Sequence, residues 1–126
     1  MRWRLGSKAD RYGISKVHSI DGIKFDSRRE LNRYLELKLL ERAGVITDLE
    51  LQPRIPIVIG DVPVLMKSKR YPNGRHLTYV GDFRYLDLEL KLTILEDVKM
   101  ESGHLPDVYK VKRALVQAMG LEITEV

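Results

Sequence analysis

Three chemically active side chains, Glu96, Asp97 and Lys99, close the apolar run TILEDVKM from Thr93 to Met100. Successive side chains of a strand point to opposite faces, so Asp97 and Lys99 share one face while Glu96 and Val98 share the other. Asp97 and Lys99 can therefore act together, and Glu96 reads as a bystander. Leu92, Thr93, Ile94 and Leu95 make the run apolar on both faces, the pattern of a central strand covered on both sides. A carboxylate and an ammonium at the end of such a strand lose water, which is costly unless they pair or bind something.

If the preceding hairpin turns near Glu89 and Leu90, Asp82 stands opposite Asp97. Opposed positions on antiparallel strands bring Cβ atoms to roughly 4.5–5.5 Å, so both carboxylates can reach one cation and repel without it. Ligation by oxygen alone suits Mg²⁺ or Mn²⁺, which would keep several waters. A metal so held stabilises charge on a phosphate and lowers the pKa of a bound water, the requirements of phosphodiester hydrolysis. Lys99 would then orient or activate the attacking water, or neutralise the developing charge. The competing reading is a surface hairpin in which Asp82 and Lys99 form ordinary ion pairs.

The elements that must position these residues can be read in order. Asp21-Gly22 lies between short β-type runs in VHSIDGIKF, the signal of a tight hairpin. DSRRELNRYLELKLLERAG then predicts a helix of about four turns, with Ser27 as N-cap and Gly44 as stop. Glu30, three residues after Ser27, completes a capping box, and Glu30, Tyr34 and Leu37 fall on one stripe that can face a sheet. VITDLELQPRIPIVI reads as one or two strands interrupted at Pro53 and Pro56, at least partly at a sheet edge. Two strands follow around the loop Pro72-Asn73-Gly74, the second running from about His76 to Leu86, and a third covers Lys91 to Lys99. Val108, Val111, Leu115 and Met119 recur at helical spacing before Gly120, and LEITEV is a short final strand. The order predicts an α+β domain, sandwich-like, with a mixed, mostly antiparallel sheet flanked by helices.

A chain of 126 residues has room for one core, expected here over residues 20–126 behind a basic N-terminal arm, 1–19. No cysteine is present, which excludes disulfides, thiolate zinc sites and cysteine nucleophiles, and His18, His76 and His104 are too dispersed to suggest a metal cluster. No run approaches the roughly 20 apolar residues that span a bilayer, and the N-terminus lacks the apolar stretch of a secretory signal. A cytoplasmic protein without membrane partners is expected. Net charge is +4, and the first 29 residues carry eight basic against three acidic side chains, Arg28 and Arg29 among them. Lys67, Lys69, Arg70 and Arg75 surround YPNG, and Lys110, Lys112 and Arg113 open the last helix. Each group alone fits a solvated surface; three groups around candidate acidic residues favour nucleic acid.

GDFRYL followed by ILEDVK resembles the motif of the PD-(D/E)xK nuclease superfamily, an Asp and a (D/E)-x-K triplet on adjacent strands. The wider set, IDGIKFDSRRELNRYLELKLLERAGVITDLELQPR, TYVGDFRY, EDVK and YKVKRAL, is similar to small phage-encoded proteins assigned to that superfamily and related in plan to Holliday-junction resolvases. The resemblance runs from about Ile20 to Val126. It implies a restriction-endonuclease-like core, Asp82 and Asp97 as metal ligands with the Val98 carbonyl, and Lys99 as the catalytic lysine. It also implies that Glu30 completes the metal site, the alternative to its capping role. The proline of the superfamily name is absent; Val80-Gly81 precedes Asp82.

The sequence thus leads to a Mg²⁺-dependent endonuclease acting on DNA, with branched junctions as the substrate the resemblance implies. Two cuts in one junction need two active sites, so a homodimer is expected, through the Asp21-Gly22 hairpin or the arm. Arg28, Arg29, Lys69, Arg70, Arg75, Lys110 and Lys112 are the candidate DNA contacts, and Gln52 is an accessory candidate from a neighbouring strand. Tyr109 stands at the start of the last helix, and Trp3, between Arg2 and Arg4, could stack on a base. His104 reads as a loop histidine. Two other readings stay open: a less selective nickase or processing nuclease, and a non-catalytic DNA-binding module on the same fold.

Overall fold

The structure, a computed structural model, describes residues 18–99 and 105–126. The basic arm up to residue 17, with Trp3, and the segment containing His104 lie outside the described residues. Strands β1 (His18–Ile20) and β2 (Ile23–Phe25) form the expected hairpin. Asp21 and Gly22 take φ of 54° and 74°, the left-handed pair that a two-residue turn between twisted strands requires. Helix α1 (Arg28–Arg42) follows, and the Ser27 side chain accepts from the Glu30 amide at 3.1 Å as an N-cap. The predicted stripe is real: Tyr34 and Leu37 are buried, and the Tyr34 hydroxyl donates to Asp21 at 3.0 Å, fixing the hairpin to the helix.

A four-stranded sheet carries the rest, in the order β12-β11-β10-β3, comprising β3 (Ile46–Leu51), β10 (Phe83–Asp87), β11 (Leu92–Asp97) and β12 (Ile123–Glu125). Strands β3, β10 and β11 are antiparallel, while β12 joins β11 in parallel after helix α2 (Asp107–Ala118). This is the mixed, mostly antiparallel α+β arrangement expected. The β10–β11 register, from Phe83 opposite Glu96 to Asp87 opposite Leu92, centres the turn between Glu89 and Leu90 as anticipated.

Two expectations about the elements are corrected. The single strand foreseen from His76 to Leu86 is broken at Gly81-Asp82: β9 (Thr78–Val80) pairs with β4 (Arg54–Pro56), and only β10 enters the main sheet. Between β4 and β9 the chain makes an excursion of four two-residue strands, β5 (Val58–Ile59), β6 (Val62–Pro63), β7 (Leu65–Met66) and β8 (Arg75–His76). The second correction concerns α2. Leu115 and Met119 pack on the core as the spacing predicts, but Val108 and Val111 are 66% and 58% exposed, and Tyr109 and Val116 turn inward. Spacing located the helix, but a hydroxyl that bonds in the interior outranks two valines at the rim.

Alternation along β11 divides the core. Tyr34, Leu37, Ile46, Phe83 and Tyr85 pack under α1 with Ile94, whereas Ile55, Ile57, Tyr79, Leu95 and Val116 pack with α2 on the opposite face. Glu96 points to the α1 face, away from Asp97, as expected, yet it is no solvated bystander. It is 1% exposed, and Arg33 of α1 grips it with both prongs, Nε to Oε1 at 2.8 Å and Nη2 to Oε2 at 2.6 Å. The Tyr85 hydroxyl also donates to Oε2. The paired carboxylate pushes the Arg33 pKa up, so this guanidinium stays charged throughout the accessible range. No helix among the described residues is long and apolar enough to cross a membrane.

Removing one partner of a buried pair strands the other charge. Arg33→Ala is expected to cost about 3–5 kcal/mol in urea unfolding, and Arg33→Met with Glu96→Leu clearly less. Equal losses for both variants would refute the assignment.

Candidate active site at the end of β11

Asp82 occupies the break between β9 and β10, and its backbone is fully used. Its amide donates to the Glu96 carbonyl at 3.0 Å, and its carbonyl accepts from Gln52 at 2.9 Å. The next amide along β11, that of Val98, is taken by the Asp82 carboxylate, Oδ2, at 2.6 Å. The side chain therefore extends the ladder by one rung beyond the strand. Gly81 permits this approach: a Cβ there would come within 2.8 Å of Leu95 Cδ1 and 3.5 Å of Asp97 Oδ1. Burial, together with the nearby charge of Asp97, lifts the Asp82 pKa to about 6, against the opposing pull of the Val98 amide.

Asp97 is 5% exposed, on the α2 face. Its Oδ2 accepts from both the Tyr79 hydroxyl of β9 and the Tyr109 hydroxyl of α2, and these hydroxyls lie 3.0 Å from each other. Burial first, then the bond to Asp97, raises both phenol pKa values, so the two tyrosines remain donors. Oδ1 accepts from nothing, and among the described residues it is the one buried side-chain polar atom without a partner. Such an atom calls for a ligand or stores strain.

Lys99 is exposed, as a residue just past the strand should be, and its amide donates to the Val126 carbonyl at 2.8 Å. It lines a hollow of about 150 Å³ with Asp97, Val98, Tyr109, Arg113 and Glu125, so Asp97 and Lys99 do share a side. Glu30 and Gln52 line a second hollow of about 230 Å³ with Asp82 and Phe83. Gln52, at φ 48°, is thus placed beside Asp82 from the end of β3. The carboxylates foreseen as one cage are divided between these two hollows, with Asp82 and Asp97 close enough for their charges to interact. No three His, Cys, Asp or Glu side chains among the described residues gather as a metal-holding group. The donor chemistry nevertheless fits a hard cation: oxygen ligands only, one buried carboxylate oxygen unclaimed, and a second carboxylate nearby at the break before β10.

Of the candidate DNA contacts, Arg29 donates to the Lys99 carbonyl at 2.9 Å and so borders the site from α1. Arg28 and Lys110 are exposed, and Lys112 is half-buried. Lys69 and Arg70 are exposed on the loop between β7 and β8, and Arg75, also exposed, opens β8 opposite Met66. Sequence reasoning missed Tyr79 and the part played by Tyr109; nothing in the spacing joins residues 79, 97 and 109. Arg33 was equally hidden inside a helix that reads as uniformly polar on that side.

With fold and site in view, the molecule is an α+β domain with a carboxylate-lysine cluster at the end of a central strand. The chain belongs to the family described as "Protein of unknown function (DUF1064)", whose model matches residues 9–124. No curated protein and no solved structure matches it.

The raised pKa of Asp82 sets a pH dependence. Between its ordinary 3.8 and about 6 the folded protein keeps a proton that the unfolded chain has lost, so this group's contribution to stability falls as pH rises through that window. Asp82→Asn cannot ionise, and its oxygen can still accept from Val98. In EDTA, the variant is expected to gain on wild type by on the order of 2 kcal/mol between pH 4 and pH 7. Parallel urea midpoints at the two pH values measure this; an unchanged difference would refute it.

Proposed function

We propose that the protein is a metal-dependent endonuclease of the PD-(D/E)xK type that hydrolyses DNA phosphodiester bonds, with branched DNA such as a Holliday junction as its preferred substrate. One observation carries the reading. Asp97 presents an unpartnered buried oxygen at the end of a central strand, with Asp82 just before the antiparallel neighbour, bonded to the Val98 amide, and Lys99 in the same hollow as Asp97. A mixed sheet with a helix on each face is also what a restriction-endonuclease-like core requires. Asp97 and Asp82 would hold Mg²⁺, or Mn²⁺ in its place, with the Val98 carbonyl; Glu30 lies on the Asp82 side to complete the set. When bound, the metal supplies charge stabilisation at the phosphate and an acidified water. Lys99, which lines the same hollow as Asp97, would supply an ammonium to orient the water or offset charge as it develops. Arg29, anchored on the Lys99 carbonyl, turns its remaining donors towards a phosphate. The resemblance further implies a homodimer, with one site per strand cut, and a phage-encoded enzyme working in the host cytoplasm.

The tyrosine bonds on Asp97 favour a second reading, a non-catalytic DNA-binding module in which that carboxylate is purely structural. Labelled four-way junction, linear duplex and single strand, each with Mg²⁺ or EDTA, separate the two. Cleavage is expected with Mg²⁺ only, fastest on the junction. Asp97→Asn and Lys99→Ala should each lower the rate by about 10²–10³-fold while binding in EDTA persists. Glu30→Gln tests the helix cap against the metal role: unchanged stability with lost cleavage supports the latter. No cleavage of any substrate by wild type would sink the nuclease; equal cutting of linear and branched DNA would leave only the unselective version.

A further inference from the structure

The excursion between β4 and β9 has no part in the site, yet its construction is specific. Its base continues the β4–β9 pairing through Ile57, whose amide donates to the Leu77 carbonyl at 2.8 Å, and Ile57 is buried at 1% exposure. Val64 then bonds to both neighbours, donating to Ile57 at 3.0 Å and accepting from Leu77 at 2.9 Å. Strands β5 with β6 and β7 with β8 extend from this anchor as two short hairpins. The loop from Lys67 to Gly74 is also held: the Tyr71 carbonyl accepts from Ser68 at 3.1 Å and Gly74 at 2.9 Å, and the Ser68 hydroxyl accepts from the Tyr71 amide at 3.1 Å. Gly74, at φ 87°, lies so close to Leu65 that a Cβ would meet it at 2.8 Å.

The charge on this arm is mostly basic, with Asp61 at the β5–β6 turn as its one acidic residue. From Val62 to Gly81 the chain contains no Asp or Glu, while Lys67, Lys69, Arg70 and Arg75 fall within nine residues. All four are exposed, and none belongs to an ion pair with a described residue, unlike Arg33, Lys38, Arg84 and Arg113. The guanidinium carbons of Arg70 and Arg75 lie 5.6 Å and 5.2 Å from the centroid of the Tyr71 ring, so one aromatic ring holds two cations at the tip. Clustering like charges on a stiff hairpin costs folding free energy that a polyanion offsets. Lys69 to Asn73, at the tip, include no Leu, Ile, Val, Met, Phe or Trp, the side chains an interfacial anchor inserts; the exposed Leu65 and Met66 lie at the base of the loop.

We propose that this arm is a nucleic-acid clamp that grips the phosphate backbone of DNA through Lys67, Lys69, Arg70 and Arg75, outside the carboxylate site. The inference rests on the DNA-binding part of the proposed function and is independent of metal and of cleavage. The contacts are to phosphate, so they hold any sequence alike and add to affinity rather than to selectivity. The Tyr71 ring keeps the two guanidiniums in place before DNA arrives, which lowers the ordering cost of binding.

The test is anisotropy of labelled duplex and four-way junction with the full chain in EDTA, over a series of KCl concentrations. Replacing all four basic residues by Ala should reduce the slope of log K against log[salt] by roughly 3 units and weaken binding at least tenfold at about 0.1 M salt. Circular dichroism checks that the exposed substitutions leave the fold intact. Arg70→Lys with Arg75→Lys should keep the salt slope, and Tyr71→Ala should weaken binding without changing it. If wild type binds DNA and the fourfold variant keeps its slope, the clamp is refuted and the proposed function stands. If wild type binds no DNA, both fall. Tighter binding to vesicles rich in phosphatidylserine than to DNA, lost in the same variant, would overturn nucleic acid as the ligand.

Discussion

The grip of Arg33 on Glu96 is the constraint around which the remaining geometry is arranged. It joins the first turns of α1 to the last residues of β11 through a buried, bidentate pair. One helical turn earlier lie Arg29 and Glu30, and the same docking brings Arg29 to the Lys99 carbonyl and Glu30 to the hollow of Asp82. Ser27 caps the helix at that end, so the turn facing the site has a side-chain acceptor for the Glu30 amide. Without the pair, α1 would still have an apolar stripe, but a stripe alone permits sliding and rotation. A guanidinium and a carboxylate locked in one orientation do not.

On the other face, Tyr79 and Tyr109 do for Asp97 what Arg33 does for Glu96, with neutral donors in place of a cation. The difference matters chemically. Arg33 pairs with both oxygens of Glu96 and closes it; the tyrosines share one oxygen of Asp97 and leave the other open. Asp82 follows a third course, satisfied by a backbone amide yet raised in pKa by its surroundings. Three carboxylates within a short stretch of sheet thus have three electrostatic settings, and only the partners tell them apart.

Much of this was legible where local rules decide. Ser27, Gly44 and the apolar stripe fixed α1; Asp21-Gly22 fixed the hairpin; and the midpoint between Glu89 and Leu90 set the β10–β11 register, from Phe83 opposite Glu96 to Asp87 opposite Leu92. The alternation of Glu96 and Asp97 between faces followed from strand geometry alone. What escaped depended on distant parts of the chain. The break at Gly81-Asp82 exists because Leu95 and Asp97 approach there, a condition invisible from residues 76–86. The inward face of α2 follows Tyr109, whose partner lies on another element. Glu96 looked dispensable because its cation sits 63 positions away in the sequence.

The placement of Glu96 and Asp97, adjacent in sequence and back to back in space, bears on how genetic results at this strand should be interpreted. Both are buried acids joined by one peptide bond, and their partners differ: Arg33 takes both oxygens of Glu96, whereas Asp97 keeps one open. An alanine at 96 strands a buried guanidinium, so the protein would fail to accumulate. If Asp97 acts as proposed, an alanine there would leave protein that accumulates without working. Abundance measured beside activity therefore separates the two origins at neighbouring codons, which phenotype alone would merge.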